Sequence, residues 1–281
     1  MPPAIPELDG VEHSFHDLPT GVRVHLASAG PAGAPTVLAI HGWPQHWWSW
    51  RDVIRELAGE FRLLCPDLRG LGWSGAPADD DFRKQRMADD QVALLDALGL
   101  DRVRLVGHDW GGWTAMLAAL TAPERFSSLL ALSIGHPWVP AHVSVRYGWK
   151  LWYQVPLAAP FAGAHVVRDG RYPRGMLRNG RRDGRRWTRE EEDAYAGVLR
   201  EPSAAHASSK LYRDFLTRDL PASRALARRR FEMPARLLIG GREPLREFAA
   251  GFRGEVDVIE GAGHFLPEEA PRAVAERIRA M

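Results

Sequence analysis

Hydrophobic positions along the chain fall into two alternating patterns. Thr36–Ile40, Arg62–Cys65, Val103–Val106 and Leu129–Ile134 are short, nearly continuous apolar runs, as are Ala235–Ile239 and Val256–Ile259 further on. Such runs predict strands buried on both faces. Between them, Trp48–Leu57, Met87–Leu98 and Gly111–Ala122 carry apolar residues at helical spacing, with Gly99 and Pro123 as stops. Val22–Ser28 alternates and predicts an early strand, with Val11–His16 as its partner. Strand and helix in turn predict an α/β fold, a mostly parallel sheet with helices on both faces. From about Trp138 to Arg230 no clean strand occurs; Glu190–Leu199 and Ala204–Leu216 predict helices there. A last helix, Arg272–Arg279, follows Pro271. The expected organisation is a core of residues 1–137 and 232–281, interrupted by a helical insertion at 138–231.

Composition narrows the class. The 281 residues are 45% hydrophobic and 26% charged, as in soluble globular chains. The formal net charge of +2 makes nucleic acid a poor partner. The one cysteine, Cys65, excludes an intramolecular disulfide and a cysteine-built metal cluster. No run approaches the ~20 apolar residues of a membrane span, and MPPAIPELDG has neither the charged head nor the apolar run of a signal peptide. A cytoplasmic protein without membrane attachment, monomer or homodimer, is expected. The arginine-dense stretch Arg168–Arg189 reads first as solvated helix faces and loops, and second as a phosphate-binding patch.

The chemistry concentrates at Gly107-His108-Asp109-Trp110-Gly111, which joins a buried strand to a helix of small residues. A turn this sharp needs glycines beside its central residue and exposes that residue at the carboxyl edge of the sheet, before a helix N-terminus. Here the central residue is Asp109. A carboxylate is already ionised at neutral pH; it attacks esters and amides poorly but can displace at a strained or activated saturated carbon. The resulting ester must then be hydrolysed, which requires a general base and an oxyanion hole. His41-Gly42-Trp43-Pro44, after the strand Thr36–Ile40, can aim the Trp43 amide at the turn, where it and the Trp110 amide form a two-donor oxyanion hole. Gly261-Ala262-Gly263-His264 follows the last strand, and His264 is the one of 11 histidines placed to serve as base. Glu243, the first acid past Ala235–Ile239, is expected to orient it, with Glu247 as the alternative. His108 reads as scaffold, whereas His13, His16 and His25 carry no expected chemistry.

Together, HGWP, PDLRGLGWS (Pro66–Ser74), GHDWGG and GAGHFLPEE resemble the α/β-hydrolase superfamily, and more narrowly its epoxide hydrolase and haloalkane dehalogenase branch. That resemblance implies an α/β-hydrolase fold with an inserted helical cap and no metal or organic cofactor. Dehalogenases of this branch typically carry asparagine where Trp43 stands; an aromatic residue there is the epoxide hydrolase habit. Two cap tyrosines are also implied, donating to the epoxide oxygen as the ring opens. Lys210-Leu211-Tyr212-Arg213 resembles the second tyrosine site. The first falls on Trp149, with Tyr147 and Tyr153 two and four residues away. Either Tyr212 acts largely alone, or the register is shifted, or the substrate is not an ordinary epoxide. Two departures stand out: Glu243 occupies a position where the family usually has aspartate, and the stretch from it to His264 is short. His41, Trp149, Tyr153 and His136 are expected to line the pocket. Tryptophans at 43, 110, 113, 138, 149 and 152 suit a small apolar or aromatic substrate, reacting with water, while Trp47–Trp50 reads as core packing. The expected activity is hydrolysis of an epoxide to a vicinal diol. The alternatives are a haloalkane or haloacid dehalogenase with the same triad, a specialised hydrolase of a biosynthetic intermediate, and a non-catalytic ligand-binding homologue.

Overall fold

The computed structural model describes residues 3–281. Its strands are β1 (Val11–Asp17), β2 (Arg23–Ala29), β3 (Thr36–Ile40), β4 (Arg62–Pro66), β5 (Val103–His108), β6 (Phe126–Leu132), β7 (Ala235–Gly240) and β8 (Glu255–Ile259). They form one sheet in the order β1-β2-β4-β3-β5-β6-β7-β8. β2 runs antiparallel to both its neighbours; every other adjacent pair is parallel.

The parallel strands are apolar throughout because both faces are covered. In β3, Leu38 and Ile40 join one core and Val37 and Ala39 the other; in β7, Leu237 and Ile239 are separated from Leu238 in the same way. The first core lies under α2 (Lys84–Ala97) and α3 (Trp110–Thr121), and the second under α1 (Arg51–Leu57) and the C-terminal helix Pro271–Arg279. Trp47 and Trp50 are fully buried in the second core, so those two tryptophans are packing residues as expected. β8 departs from the expectation of a buried strand. It is the sheet edge, with Val256 and Val258 about half exposed. Glu255 and Asp257 on it pair with Arg236 and Arg277, charges that discourage pairing with another chain.

Between β6 and β7 the chain forms only helices: α4 (Ala141–Tyr147), α5 (Gln154–Ala158), α6 (Gly163–Arg168), α7 (Arg171–Gly180), α8 (Arg189–Val198), α9 (Pro202–Asp214) and the single turn α10 (Leu220–Ala222). α8 starts at a capping box in which the Thr188 side chain and Glu191 bond each other's backbone N–H groups. The helix expected over Ala204–Leu216 begins two residues earlier and passes into a π-helical turn, Phe215–Asp219. No helix among the described residues is long and apolar enough to cross a membrane.

Candidate active site

The turn between β5 and α3 holds Asp109 at φ 50°, ψ −124°, a left-handed backbone that a non-glycine residue adopts only under constraint. The glycines make the constraint possible. A Cβ on Gly107 would lie 2.2 Å from the Gly111 carbonyl oxygen, and one on Gly111 would lie 2.3 Å from that of Ile40. At Gly42 a Cβ would stand 2.4 Å from Asp109 Cβ, so the loop after β3 presses directly on the turn.

That loop brings the Trp43 amide 3.0 Å from Asp109 Oδ2, to which it donates. The Trp110 amide lies close enough to favour the charged carboxylate. Burial raises the Asp109 pKa, while His264 and the two amides pull the other way. The Trp43 indole does not reach the cavity: its Nε1 donates to Ser208 Oγ at 2.9 Å. His41 was expected to line the pocket, and this is corrected. Its fully buried ring donates from Nδ1 to the Gly42 carbonyl at 2.8 Å and accepts the Leu68 N–H at Nε2, 2.9 Å. With both nitrogens engaged, His41 holds the loop and does not face the cavity.

His264 lies on the loop between β8 and the short helix α11 (Leu266–Glu269). Its Nδ1 is 3.1 Å from Glu243 Oε2, and its Nε2 is 3.7 Å from Asp109 Oδ1. Burial works against a charged imidazole here, but Glu243 and Asp109 outweigh it and hold the His264 pKa at about 9. Glu247 lies elsewhere, bound to Lys150 Nζ at 2.9 Å, so Glu243 is the acid beside the imidazole. His108 donates from Nε2 to the His264 carbonyl at 2.8 Å, which fits its reading as scaffold.

A cavity of about 1130 Å³ opens over Asp109, walled by Trp110, Trp113, Trp138, Tyr153 and Phe215. Its size is that of a small-molecule site. His136 lines it but is already occupied: Nε2 donates toward the Ala249 and Ala250 carbonyls and Nδ1 accepts the Trp138 N–H. Burial lowers its pKa to about 4. Trp149 lines the outer part and is 69% exposed. Tyr212, on α9, is buried edge-on against both Trp43 and Trp110, with ring centroids 5.3 Å apart in each pair, and is not part of the cavity wall. Tyr153 is in the wall and is held by the Tyr172 hydroxyl, which donates to its backbone carbonyl at 2.7 Å. Burial pushes both phenols up, and the Asp109 carboxylate pushes them further. Both therefore stay protonated and able to donate.

Lys84 was not singled out in the sequence. It is fully buried at the start of α2, its Nζ 4.4 Å from the Trp110 ring and donating to the Leu211 carbonyl at 3.0 Å. Burial lowers its pKa to about 8, against the pull of Asp219, Asp214 and Asp109. Its sequence context, the polar end of an amphipathic helix, gives no sign of this position. Among the described residues no group of three or more His, Cys, Asp or Glu side chains is arranged to hold a metal ion.

A sheet of this order, with a strand–turn–helix at its carboxyl edge facing an acid–histidine pair, defines an α/β hydrolase. Residues 35–271 match the family described as the alpha/beta hydrolase fold, and the chain belongs to it. Within that family the chain is epoxide-hydrolase-like. It is 30% identical over 278 residues to the soluble epoxide hydrolase of Corynebacterium sp. (strain C12), covering 91% of this chain and 92% of that one. It is 32% identical over 210 residues to mouse epoxide hydrolase 4, covering 70% of this chain and 58% of the mouse protein's length. The structure of a candidate epoxide hydrolase from Pseudomonas aeruginosa superposes with a TM-score of 0.85 at 27% identity, over 99% of this chain and 97% of that one. These similarities support hydrolase activity of the epoxide-hydrolase-like kind.

Proposed function

We propose that this protein hydrolyses an epoxide to a vicinal diol through an ester on Asp109. The observation that carries the reading is the unequal setting of the two carboxylate oxygens. Oδ2 is held by the Trp43 amide and Oδ1 faces the imidazole of His264. Oδ1 attacks one epoxide carbon, and the carbon–oxygen bond to that carbon breaks. The departing oxygen takes a proton from a phenol, Tyr153 or Tyr212, because an alkoxide leaves poorly without one. Oδ2 becomes the ester carbonyl oxygen. His264 then removes a proton from water, which attacks Cγ; negative charge develops on Oδ2, where the Trp43 amide already donates and the Trp110 amide joins it in the proposed oxyanion hole. Collapse releases the diol and regenerates the carboxylate, and the imidazolium proton returns through solvent to the phenolate.

The electrostatics favour this order of steps. Asp109 and Glu243 together keep His264 protonated in the free protein. Forming the ester removes the Asp109 charge and so lowers the His264 pKa when a base is needed. In this reading residues 138–231 act as a cap on a core of 1–137 and 232–281, and the tryptophan and phenylalanine side chains of the cavity select an apolar or aromatic substrate. A panel of epoxides and chloroalkanes assayed with the wild type and Asp109→Ala tests it. Diol is expected from the wild type alone, without halide release. Diol formation by Asp109→Ala would remove the covalent step, and halide release without diol formation would transfer the site to dehalogenation.

A further inference from the structure

The helical segment between β6 and β7 carries a second cavity, of about 820 Å³, that shares no lining residue with the one over Asp109. Seven of its ten lining residues are arginines, and two, Glu192 and Asp193, are carboxylates. The wall holds a surplus of five positive charges, or three once Asp183 and Glu191, which pair with Arg181 and Arg185, are counted; the chain's formal net charge is +2, so the remaining residues then sum to −1. The positive charge is concentrated in one concavity instead of spread over the surface.

The guanidinium groups approach from different elements. Arg174 and Arg178 stand on α7, Arg181, Arg185 and Arg186 on the connection to α8, and Arg189 on α8 itself. Arg174 and Arg178 are engaged by Asp193 and Glu192, Arg185 by Glu191 and Arg189 by Asp193. Arg186 has no ion pair or hydrogen bond among the described residues. Arg181 is the built part of the site. Its side chain is 2% exposed, its Nε and Nη2 hold Asp183, and its plane lies 4.6 Å over Trp187. Its remaining nitrogen, Nη1, is buried with no hydrogen-bond partner among the described residues. Asp183 balances the charge, but a buried donor nitrogen is costly unless something accepts from it.

We propose that this cavity binds a small molecule carrying two or more phosphoryl groups. Planar guanidinium forks match phosphate oxygens two at a time, so several forks converging on one concavity favour a multivalent oxyanion over a single one. The volume fits a compact ligand of this class. A nucleic-acid backbone would need an extended positive track, and the net negative charge of the remaining residues does not supply one. The site is also joined to the core. The carbonyl of Gly180, beside Arg181, accepts the His264 backbone N–H at 2.9 Å, so an occupant braces the loop that carries His264.

Isothermal titration of the full chain with inorganic tripolyphosphate, at fixed low ionic strength, tests the assignment. Saturable binding is expected near one equivalent, at least about tenfold tighter than orthophosphate. The double variant R185Q/R186Q changes two exposed side chains of the wall. It is expected to weaken tripolyphosphate binding at least about tenfold while unfolding at the same temperature as the wild type in its absence. Absence of saturable heat would overturn the proposal, as would binding that the double variant leaves unchanged. A random duplex oligonucleotide binding as tightly as tripolyphosphate would also overturn it and assign the surface to nucleic acid.

Discussion

His264 Nε2 stands 3.7 Å from Asp109 Oδ1, beyond hydrogen-bond reach, while its Nδ1 is 3.1 Å from Glu243 Oε2. The imidazole is thus anchored on one side and free on the other. In the proposed reaction the free nitrogen is the one that meets water after Asp109 has been alkylated.

Replacing that imidazole separates the two half-reactions. His264→Gln leaves Asp109, its amides and the phenols in place, so ring opening proceeds and ester hydrolysis stalls. Turnover is expected to fall by about 10³-fold or more. Intact-mass measurement should show one adduct equal in mass to the substrate, and peptide mapping should place it on Asp109. Wild-type turnover with no adduct would remove His264 from the proposed role.

The two phenols are expected to act in the first half-reaction. Tyr153 lines the cavity, whereas Tyr212 is packed against Trp43 and Trp110. Each single change to phenylalanine is expected to slow ester formation by about 10–10³-fold, and the double change by more. Rapid-quench measurement of the first turnover reads this step directly. A double variant that opens epoxides at the wild-type rate would contradict the assignment of both.

Glu243→Gln should change how stability varies with pH. The folded-state pKa of His264 is raised from 6.5 to about 9; burial opposes this and is outweighed by Glu243 and Asp109. A raised pKa means that the charged imidazole stabilises the fold fully below pH 6.5, and that this contribution is lost as pH rises through about 9. Removing the Glu243 charge should therefore destabilise most near pH 6, on the order of 1–3 kcal/mol, with the deficit shrinking toward pH 9.5. Urea unfolding of both proteins across that range checks it. A deficit that grows with pH would reverse the sign and refute the argument.

Two glycine substitutions are expected to differ in sign. A Cβ at Gly107 meets the Gly111 carbonyl at 2.2 Å, backbone that cannot yield without opening the turn. Gly107→Ala should cost about 3 kcal/mol or more, or prevent folding. Gly175, inside α7, has open space where a Cβ would go. Gly175→Ala should stabilise by up to about 1 kcal/mol through helix propensity. Thermal unfolding measures both, and equal effects would show that the close approach at Gly107 is not what constrains the turn.

Much of this site is legible in the chain because its parts are local. Asp109 is flagged by flanking glycines between a buried strand and a small-residue helix, and Trp43 and His264 by glycine loops that follow strands. Glu243 was separable from Glu247 only in three dimensions, where one carboxylate meets His264 and the other meets Lys150. The helical insertion was harder to read. The resemblance put the first tyrosine site on Trp149, with Tyr147 and Tyr153 on either side, and did not choose among them; packing leaves Trp149 mostly exposed and puts Tyr153 in the cavity wall. His41 was misread because a histidine beside a glycine loop looks the same whether its ring faces a cavity or the loop's own backbone.

The sequence by itself determined the alternation of strand and helix, hence the mostly parallel sheet, and the sharp turn that carries Asp109. Those follow from apolar periodicity and from the space glycine leaves, both of which act between near neighbours. Only the tertiary structure decided that β8 is an edge strand, which acid faces His264, which aromatic residues wall the cavity, and that seven arginines share one concavity. Those outcomes depend on side chains far apart in sequence competing for the same volume and the same charges, and no local pattern encodes that competition.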